Sequence, residues 1–334
     1  MRNFNFDIIR SIAIIFVICI HSMGQLNAII NTPAVSITYI TYLLLSSVIY
    51  MGVPLFIMLS GSLLLSKNDE PYHFLKKRLK RIMIPFFIWS IIVFCLDKIT
   101  AHQSLFIIQS VTEFSIKFLT NGVHGIYWYI YMLIGLYLLT PILQKVFKDI
   151  SPKLCNYTIT LIILFIIIQK VTPSIYEKES LLFKYSFPYL EYLGYYIGGY
   201  YFYAYANRSK YFSKITLYSF FVFYLLGILN QIKPFTTFPI HFFQSLFFFG
   251  VLISIKNKIP TNNNIKHILI TFISNTSYGI YLSHFLFISI LCKIGFEQAI
   301  PVFITPILMT VIVLCLELGL QYSIKRLKLE KLLM

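Results

Sequence analysis

Charged residues are scarce in this chain of 334 amino acids. Only 12% of its residues are charged, whereas 58% are hydrophobic, and the mean hydropathy is +0.76. Soluble globular domains carry about twice that share of charge. This low share of charge excludes an ordinary soluble domain. The long apolar runs in the sequence predict an all-α, polytopic integral membrane protein.

Cysteine pairs, repeats and hydrophilic segments are also missing. The five cysteines are odd in number and show no C-x-x-C spacing, so we predict neither a disulfide framework nor a metal site. The first apolar run continues as H-S-M-G-Q without a cleavage site and is expected to remain attached. We therefore expect one membrane domain over residues 1–334, without a fused soluble domain.

About ten runs are long enough to cross a bilayer as helices, which requires about 17 to 25 apolar residues. The predicted spans are 8–30, 39–65, 82–99, 126–147, 155–171, 189–206, 215–231, 239–256, 275–294 and 301–324. The second is longer than a bilayer requires and contains Gly52, Pro54 and Gly61, which predicts a helix that is kinked or lies partly in the membrane interface.

The basic residues are distributed unevenly among the connections. With the N-terminus inside, 21 of the 28 Lys and Arg residues fall on the cytoplasmic side. Because cytoplasmic loops carry the excess of Lys and Arg, we predict that both termini face the cytoplasm. The net charge of +16 is explained by this orientation, and no nucleic-acid partner is predicted.

Two ionisable residues interrupt the first span. Arg10 and His21 are eleven residues apart, which on an α-helix is a rotation of about 20° and a rise of about 16 Å. Both side chains therefore share one helix face, one near the membrane surface and one deep within it. Ionisable groups in a membrane indicate a functional site, although a solitary histidine also serves as a hydrogen-bonding residue between helices.

A basic segment, K-K-R-L-K-R at 76–81, precedes the third span. Such a cluster commonly anchors a protein to anionic lipid. The alternative is a phosphate site, because Arg78 and Arg81 share a helix face and guanidinium groups bind phosphate through paired hydrogen bonds. If Arg10 joins them, a pantetheine arm can carry a thioester along the first helix toward His21.

These residues and further segments in the same order resemble the membrane acyltransferase 3 family. The resemblance rests on F-D-I-I-R with the R-x10-H pair, P-L-F-I-M-L-S-G at 54–61, R-L-K-R at 78–81, W-Y-I-Y-M-L-I-G-L-Y-L-L-T-P at 128–141 and I-S-N-T-S-Y-G-I-Y-L-S-H at 273–284. It spans most of the chain.

The resemblance implies an O-acetyltransferase of the bacterial cytoplasmic membrane. The donor substrate would be acetyl-CoA, with no permanently bound cofactor, and the acceptor a hydroxyl of a cell-envelope polysaccharide or lipid-linked glycan. His21 is the candidate catalytic residue, either as the base or as a group that is itself acylated. The candidate coenzyme-binding residues are Arg10, Arg78 and Arg81.

This chain departs from several branches of the family in two respects. Those branches carry a glutamate pair in the tryptophan-containing segment, where this chain has Leu133 and Ile134. Many also fuse an extracytoplasmic domain that is absent here. If a second enzyme completes the transfer, we expect it to be a separate extracytoplasmic transferase.

Other polar residues near the spans each have two interpretations. His284 and Tyr281 lie on a helix face that can meet His21, or they serve packing. Glu317 orients a histidine or bridges two helices. His124 and Trp128 form an acceptor platform or belong to an aromatic belt at the membrane surface.

Two other functions fit part of the pattern. A transporter or flippase of an envelope glycolipid would use Arg10, His21 and Glu317 as a substrate or proton pathway, but no paired halves are visible in the sequence. A non-catalytic scaffold would leave the buried ionisable residues unexplained. Binding of acetyl-CoA would distinguish the enzyme from both.

Overall fold

The computed structural model describes residues 3–23, 36–101, 107–120, 122–148, 150–176, 190–233, 239–255 and 265–334. This part of the chain forms α-helices joined by turns and three short 3₁₀ segments, and it contains no strand. The all-α prediction is therefore confirmed. The helices are α1 (Phe4–Met23), α2 (Ile37–Ile49), α3 (Gly52–Leu64), α4 (Pro71–Thr100), α5 (Ile107–Leu119), α6 (Trp128–Phe147), α7 (Pro152–Tyr176), α8 (Leu190–Ala204), α9 (Phe212–Ile232), α10 (Ile240–Ser254), α11 (Ile265–Lys293), α12 (Thr305–Arg326) and α13 (Glu330–Leu333).

Within the described residues, 7 helical segments are long and apolar enough to cross a membrane. They are 4–23, 37–64, 71–100, 125–147, 152–169, 212–232 and 305–326. Of the other predicted spans, α8 and α10 have 15 residues each, and α11 has 29 but carries Ser, Thr, Asn and His between 274 and 284. The count of about ten and the orientation stay predictions, and the predicted stretch 24–30 lies outside the described residues.

The second predicted span is interrupted, as its Gly and Pro residues indicate. α2 ends at Ile49 and α3 begins at Gly52. A Cβ atom at Gly52 would lie 3.0 Å from the carbonyl oxygen of Ala13 and 3.0 Å from Cβ of Phe16. Glycine at this position therefore lets the start of α3 approach α1 closely.

α1 lies at the centre of the helical bundle. It packs against α3, α11 and α12, and its side chains Ile9, Ala13 and Ile14 are fully buried. α7 and α9 are the least enclosed of the candidate spans. Large apolar side chains such as Leu225 and Leu229 point outward from α9, as expected of a helix surface in contact with lipid.

α1 and α11 lie side by side and run in the same direction. Near the start of both helices, the Ser11 hydroxyl donates to the carbonyl of Ile270 at 3.0 Å. Toward their ends, the ring of His21 faces the ring of His284. This pairing places the polar residues of the two helices in two groups, one at each end of the bundle.

Candidate active site

The first group is built around Asp7, one turn before Arg10 on α1. Its carboxylate is 1% exposed, accepts a hydrogen bond from the Ser274 hydroxyl at 2.7 Å, and lies 3.5 Å from Nη1 of Arg10. A buried carboxylate requires such partners. Asp7 therefore ties α1 to α11 and orients the guanidinium group of Arg10.

A cavity of about 430 Å³ opens beside Arg10, and α4 contributes Arg78 and Arg81 to its wall. We call it the arginine cavity, defined by Arg10, Arg78 and Arg81. Tyr137 lines the same cavity from α6. The structure thus brings Arg10 together with Arg78 and Arg81, which follow it by 68 and 71 residues in the sequence.

The start of α4 is fixed by local capping, which sets the position of its arginines. The Glu70 carboxylate accepts hydrogen bonds from the backbone N–H groups of Tyr72 and His73, and Pro71 occupies the first turn. These hydrogen bonds, chiefly the one from His73, hold the pKa of Glu70 below its ordinary value. From this start, Arg78 and Arg81 fall on the part of α4 that lines the arginine cavity.

Tyrosine rings lead from the arginine cavity toward the second polar group. Tyr129 and Tyr281 line the cavity, and their ring centroids are 5.4 Å apart. The ring of Tyr281 is 6.0 Å from that of His284. Tyr281 does not present a free hydroxyl, because it donates a short hydrogen bond to the carbonyl of Ile126.

His21 and His284 form the second group, with ring centroids 5.2 Å apart. Nδ1 of His284 lies 3.1 Å from the carbonyl oxygen of Ile280 and 2.9 Å from that of Tyr281. Because carbonyl oxygens only accept hydrogen bonds, Nδ1 carries the proton and Nε2 carries a lone pair. Nε2 is buried and has no hydrogen-bond partner within the described part of the chain. His284 is therefore an acceptor beside His21.

His124 lies at the same end of the bundle, in the loop before α6. Its ring stacks on Phe285 with a centroid distance of 4.2 Å, and its Nδ1 accepts from the backbone N–H of Ile126 at 3.4 Å. Burial lowers the pKa of His124 below its ordinary value, which favours the neutral ring that this contact requires. Trp128 is 44% exposed and lies 5.7 Å from the ring of Tyr192.

Glu317 is fully buried on α12, away from the arginine cavity. Its Oε2 accepts hydrogen bonds from the Ser283 hydroxyl at 2.8 Å and from the Gln321 amide at 3.1 Å. Of the two sequence interpretations, this placement matches a bridge between α11 and α12. No group of three His, Cys, Asp or Glu side chains that could hold a metal ion occurs among the described residues.

A family model described as an acyltransferase domain, the acyltransferase 3 family, matches residues 3–324. The chain belongs to this family. The matched region includes both polar groups, Arg10, Arg78 and Arg81 of the arginine cavity, and every candidate site residue that the sequence singles out. No curated protein and no solved structure is significantly similar to the chain.

This membrane acyltransferase replaces the glutamate pair of other family branches with apolar residues. Leu133 is 5% exposed and lines the arginine cavity, and Ile134 packs against the core. The wall contributed by α6 is therefore tyrosine and leucine rather than acid.

Sequence reasoning assigned no role to Asp7 or Ser274, although both lie in segments that carry the family resemblance, F-D-I-I-R and 273–284. Asp7 stands three residues before Arg10, a spacing that allows an ion pair on a helix, and this was the available local signal. Ser274 had none, because its partner is 267 residues away in the chain.

Proposed function

We propose that this acyltransferase moves an acetyl group from cytoplasmic acetyl-CoA to a hydroxyl of a cell-envelope polysaccharide or lipid-linked glycan, working in the bacterial cell membrane. The observation that carries the proposal is the convergence of Arg10, Arg78 and Arg81 on one cavity. Three guanidinium groups suit the phosphates of a coenzyme. The family match favours this reading over a transporter.

In this proposal His21 acts on the thioester end of the coenzyme. It lies about 16 Å along α1 from Arg10. The ring of Tyr281, which lines the arginine cavity, is 6.0 Å from that of His284, and the ring of His284 is 5.2 Å from that of His21. The pantetheine arm would follow this path. The phosphates would remain at the arginines while the thioester approaches the histidine pair.

His284 gives His21 a defined role as base. If an N–H of His21 donates to Nε2 of His284, the other nitrogen of His21 keeps its lone pair for the substrate. That nitrogen removes the proton of the acceptor hydroxyl while the oxygen attacks the thioester carbonyl. The C–S bond then breaks and the thiolate takes the proton from His21, giving an acetyl ester and free coenzyme A.

His21→Ala should lower kcat by about 10² to 10⁴ and leave the KM for acetyl-CoA nearly unchanged, because the base is lost and the phosphate contacts remain. The measurement is thiol release from acetyl-CoA in the presence of glycolipid extracted from the native envelope. His284→Ala should show a smaller loss in kcat. The matched control is His241→Ala, which removes a histidine from α10, outside the cavity.

Mass spectrometry of surface glycans from cells with and without the gene identifies the acceptor. Loss of an increment of about 42 Da, one acetyl group, from a defined glycan would support the proposal. Unchanged glycans together with normal kcat in His21→Ala would overturn it.

A further inference from the structure

A second cavity of about 740 Å³ adjoins the arginine cavity. Four lysines from three helices line it: Lys77 and Lys80 from α4, Lys325 from α12 and Lys331 from α13. We call it the lysine basin, defined by these four residues. Its lining includes one acidic residue, Glu330.

The two cavities are neighbours with a common wall. Arg81 and Asn275 line both of them. A ligand longer than either cavity can therefore occupy both, with Arg81 in contact with its middle. Coenzyme A has this form, because a diphosphate separates the pantetheine arm from a nucleotide that carries a further phosphate.

Within the described residues, none of the lysines of the basin forms an ion pair with a carboxylate. The ion pairs among the described residues are Arg10 with Asp7, and Lys98 and Lys117 with Glu113. None of the basin lysines is within 4.0 Å of a carboxylate in this part of the chain. A concave surface on which basic side chains outnumber acidic ones, here five to one, attracts anions.

The residue types of the two cavities differ in a way that suits two kinds of phosphate. Arginine forks bind a diphosphate through paired, planar hydrogen bonds, whereas lysine ammonium groups act as mobile point charges. A terminal phosphate monoester carries about −1.5 to −2 at pH 7, which several ammonium groups can share. Phe272 and Ile84 add an apolar wall to the basin that suits a nucleotide base.

We propose that the lysine basin binds the 3′-phosphate of the coenzyme while the arginine cavity holds its diphosphate. This inference rests on the proposed function, since it assigns a part of the same donor to a second site. An anionic lipid headgroup also carries a phosphate group. The test must therefore distinguish binding of the coenzyme from binding of lipid.

The test compares acetyl-CoA with acetyl-dephospho-CoA, which differs only by loss of the 3′-phosphate. Dissociation constants are measured by calorimetry on the full chain in nanodiscs of neutral lipid. In the unaltered protein, loss of the 3′-phosphate should weaken binding about tenfold or more. In the triple variant Lys77→Gln, Lys80→Gln, Lys325→Gln, acetyl-CoA should bind as weakly as acetyl-dephospho-CoA. The dissociation constant of acetyl-dephospho-CoA should be the same in the triple variant and in the unaltered protein.

Two comparison variants make the result specific. Lys76→Gln, Arg326→Gln, Lys328→Gln removes the same charge from exposed positions outside the basin lining, and should keep the discrimination between the two thioesters. Arg78→Ala should weaken both thioesters equally, because Arg78 lines only the arginine cavity. Binding of adenosine 3′,5′-bisphosphate compared with AMP, which lacks only the 3′-phosphate, repeats the test without a thioester.

The outcomes are distinguishable. If the lysine variant retained full discrimination, or weakened both thioesters equally, the assignment to the 3′-phosphate would be wrong. If the lysine variant still distinguished acetyl-CoA from acetyl-dephospho-CoA, but retained less phosphatidylglycerol on purification than the unaltered protein, the ligand of the basin would be a lipid headgroup. If the unaltered protein bound neither thioester, the proposed function itself would fail.

Discussion

At the scale of single residues, Asp7 orients Arg10 in the proposed donor site. Its carboxylate forms an ion pair with the guanidinium group of Arg10 and accepts a hydrogen bond from the Ser274 hydroxyl. Replacing a buried acceptor of charge-assisted hydrogen bonds frees the cation that it oriented. Arg10 would then sample orientations that do not point into the arginine cavity.

We expect Asp7→Asn to raise the KM for acetyl-CoA about three- to tenfold and to change kcat little, because the amide keeps the shape but loses the charge. Steady-state kinetics on purified protein measure both constants. In an Arg10→Ala background, Asp7→Asn should not raise the KM further, since the effects of substitutions at two residues are not additive when one residue acts through the other. Additive losses would show that Asp7 acts independently of Arg10.

The contrast between Arg10 and Ser274 shows which site residues the sequence can predict. Arg10 and His21 belong to one helix, whose period fixes their relative position before any tertiary contact is known. Arg78 and Arg81 are related in the same way. Ser274 reaches Asp7 only because α11 packs parallel to α1, and the lone pair of His284 depends on two backbone carbonyls of its own helix.

At the scale of helices, α3 and α8 meet through two glycines. A Cβ at Gly61 would collide with the backbone of Tyr196, and a Cβ at Gly199 would collide with the backbone of Met58. Such reciprocal contacts let two helix backbones approach closely in a membrane. The contact holds α3 in place, and α3 supplies Ser60 and Leu64 to the arginine cavity.

Gly199→Ala should destabilise the protein by about 1 to 3 kcal/mol, because the new methyl group meets backbone atoms that cannot rotate away. Thermal unfolding in detergent, followed by size-exclusion fluorescence, should show a lower Tm. The control is Gly135→Ala on α6, where a Cβ would have nothing within 4 Å. It should leave the Tm unchanged or raise it slightly. Equal Tm values for the two variants would contradict the close-packing role.

The same pair of helices marks a limit of prediction at this scale. The segment P-L-F-I-M-L-S-G was recognisable, and the break between α2 and α3 followed from Gly52 and Pro54. That Gly61 touches α8 was not predictable, because nothing local to residue 61 specifies a partner at residue 196. Polar side chains keep α11 out of the set of helices that are apolar enough to cross a membrane by composition. These side chains serve the site and the packing between helices rather than contact with lipid.

At the scale of the whole molecule, the two ends of the bundle differ in charge. The arginine cavity and the lysine basin lie at the end where α1, α4 and α11 begin. The histidine pair lies toward the other end of α1 and α11. The distribution of Lys and Arg in the connections predicts that the basic end faces the cytoplasm. A cytoplasmic donor and an outward acceptor would then enter from opposite sides.

Labelling of single cysteines in a cysteine-free background tests this orientation. Asn68, which is exposed between α3 and α4, lies at the basic end, and Ile294, which is 70% exposed, follows α11 at the opposite end. A membrane-impermeant maleimide applied to intact spheroplasts should label Ile294→Cys and should reach Asn68→Cys only after permeabilisation. Acetyl transfer by both variants serves as the control for folding. If Asn68→Cys were labelled from outside and Ile294→Cys were not, both basic cavities would face away from the cytoplasm. Cytoplasmic acetyl-CoA could not then reach the arginines, and the assignment of both cavities to the coenzyme would have to be abandoned.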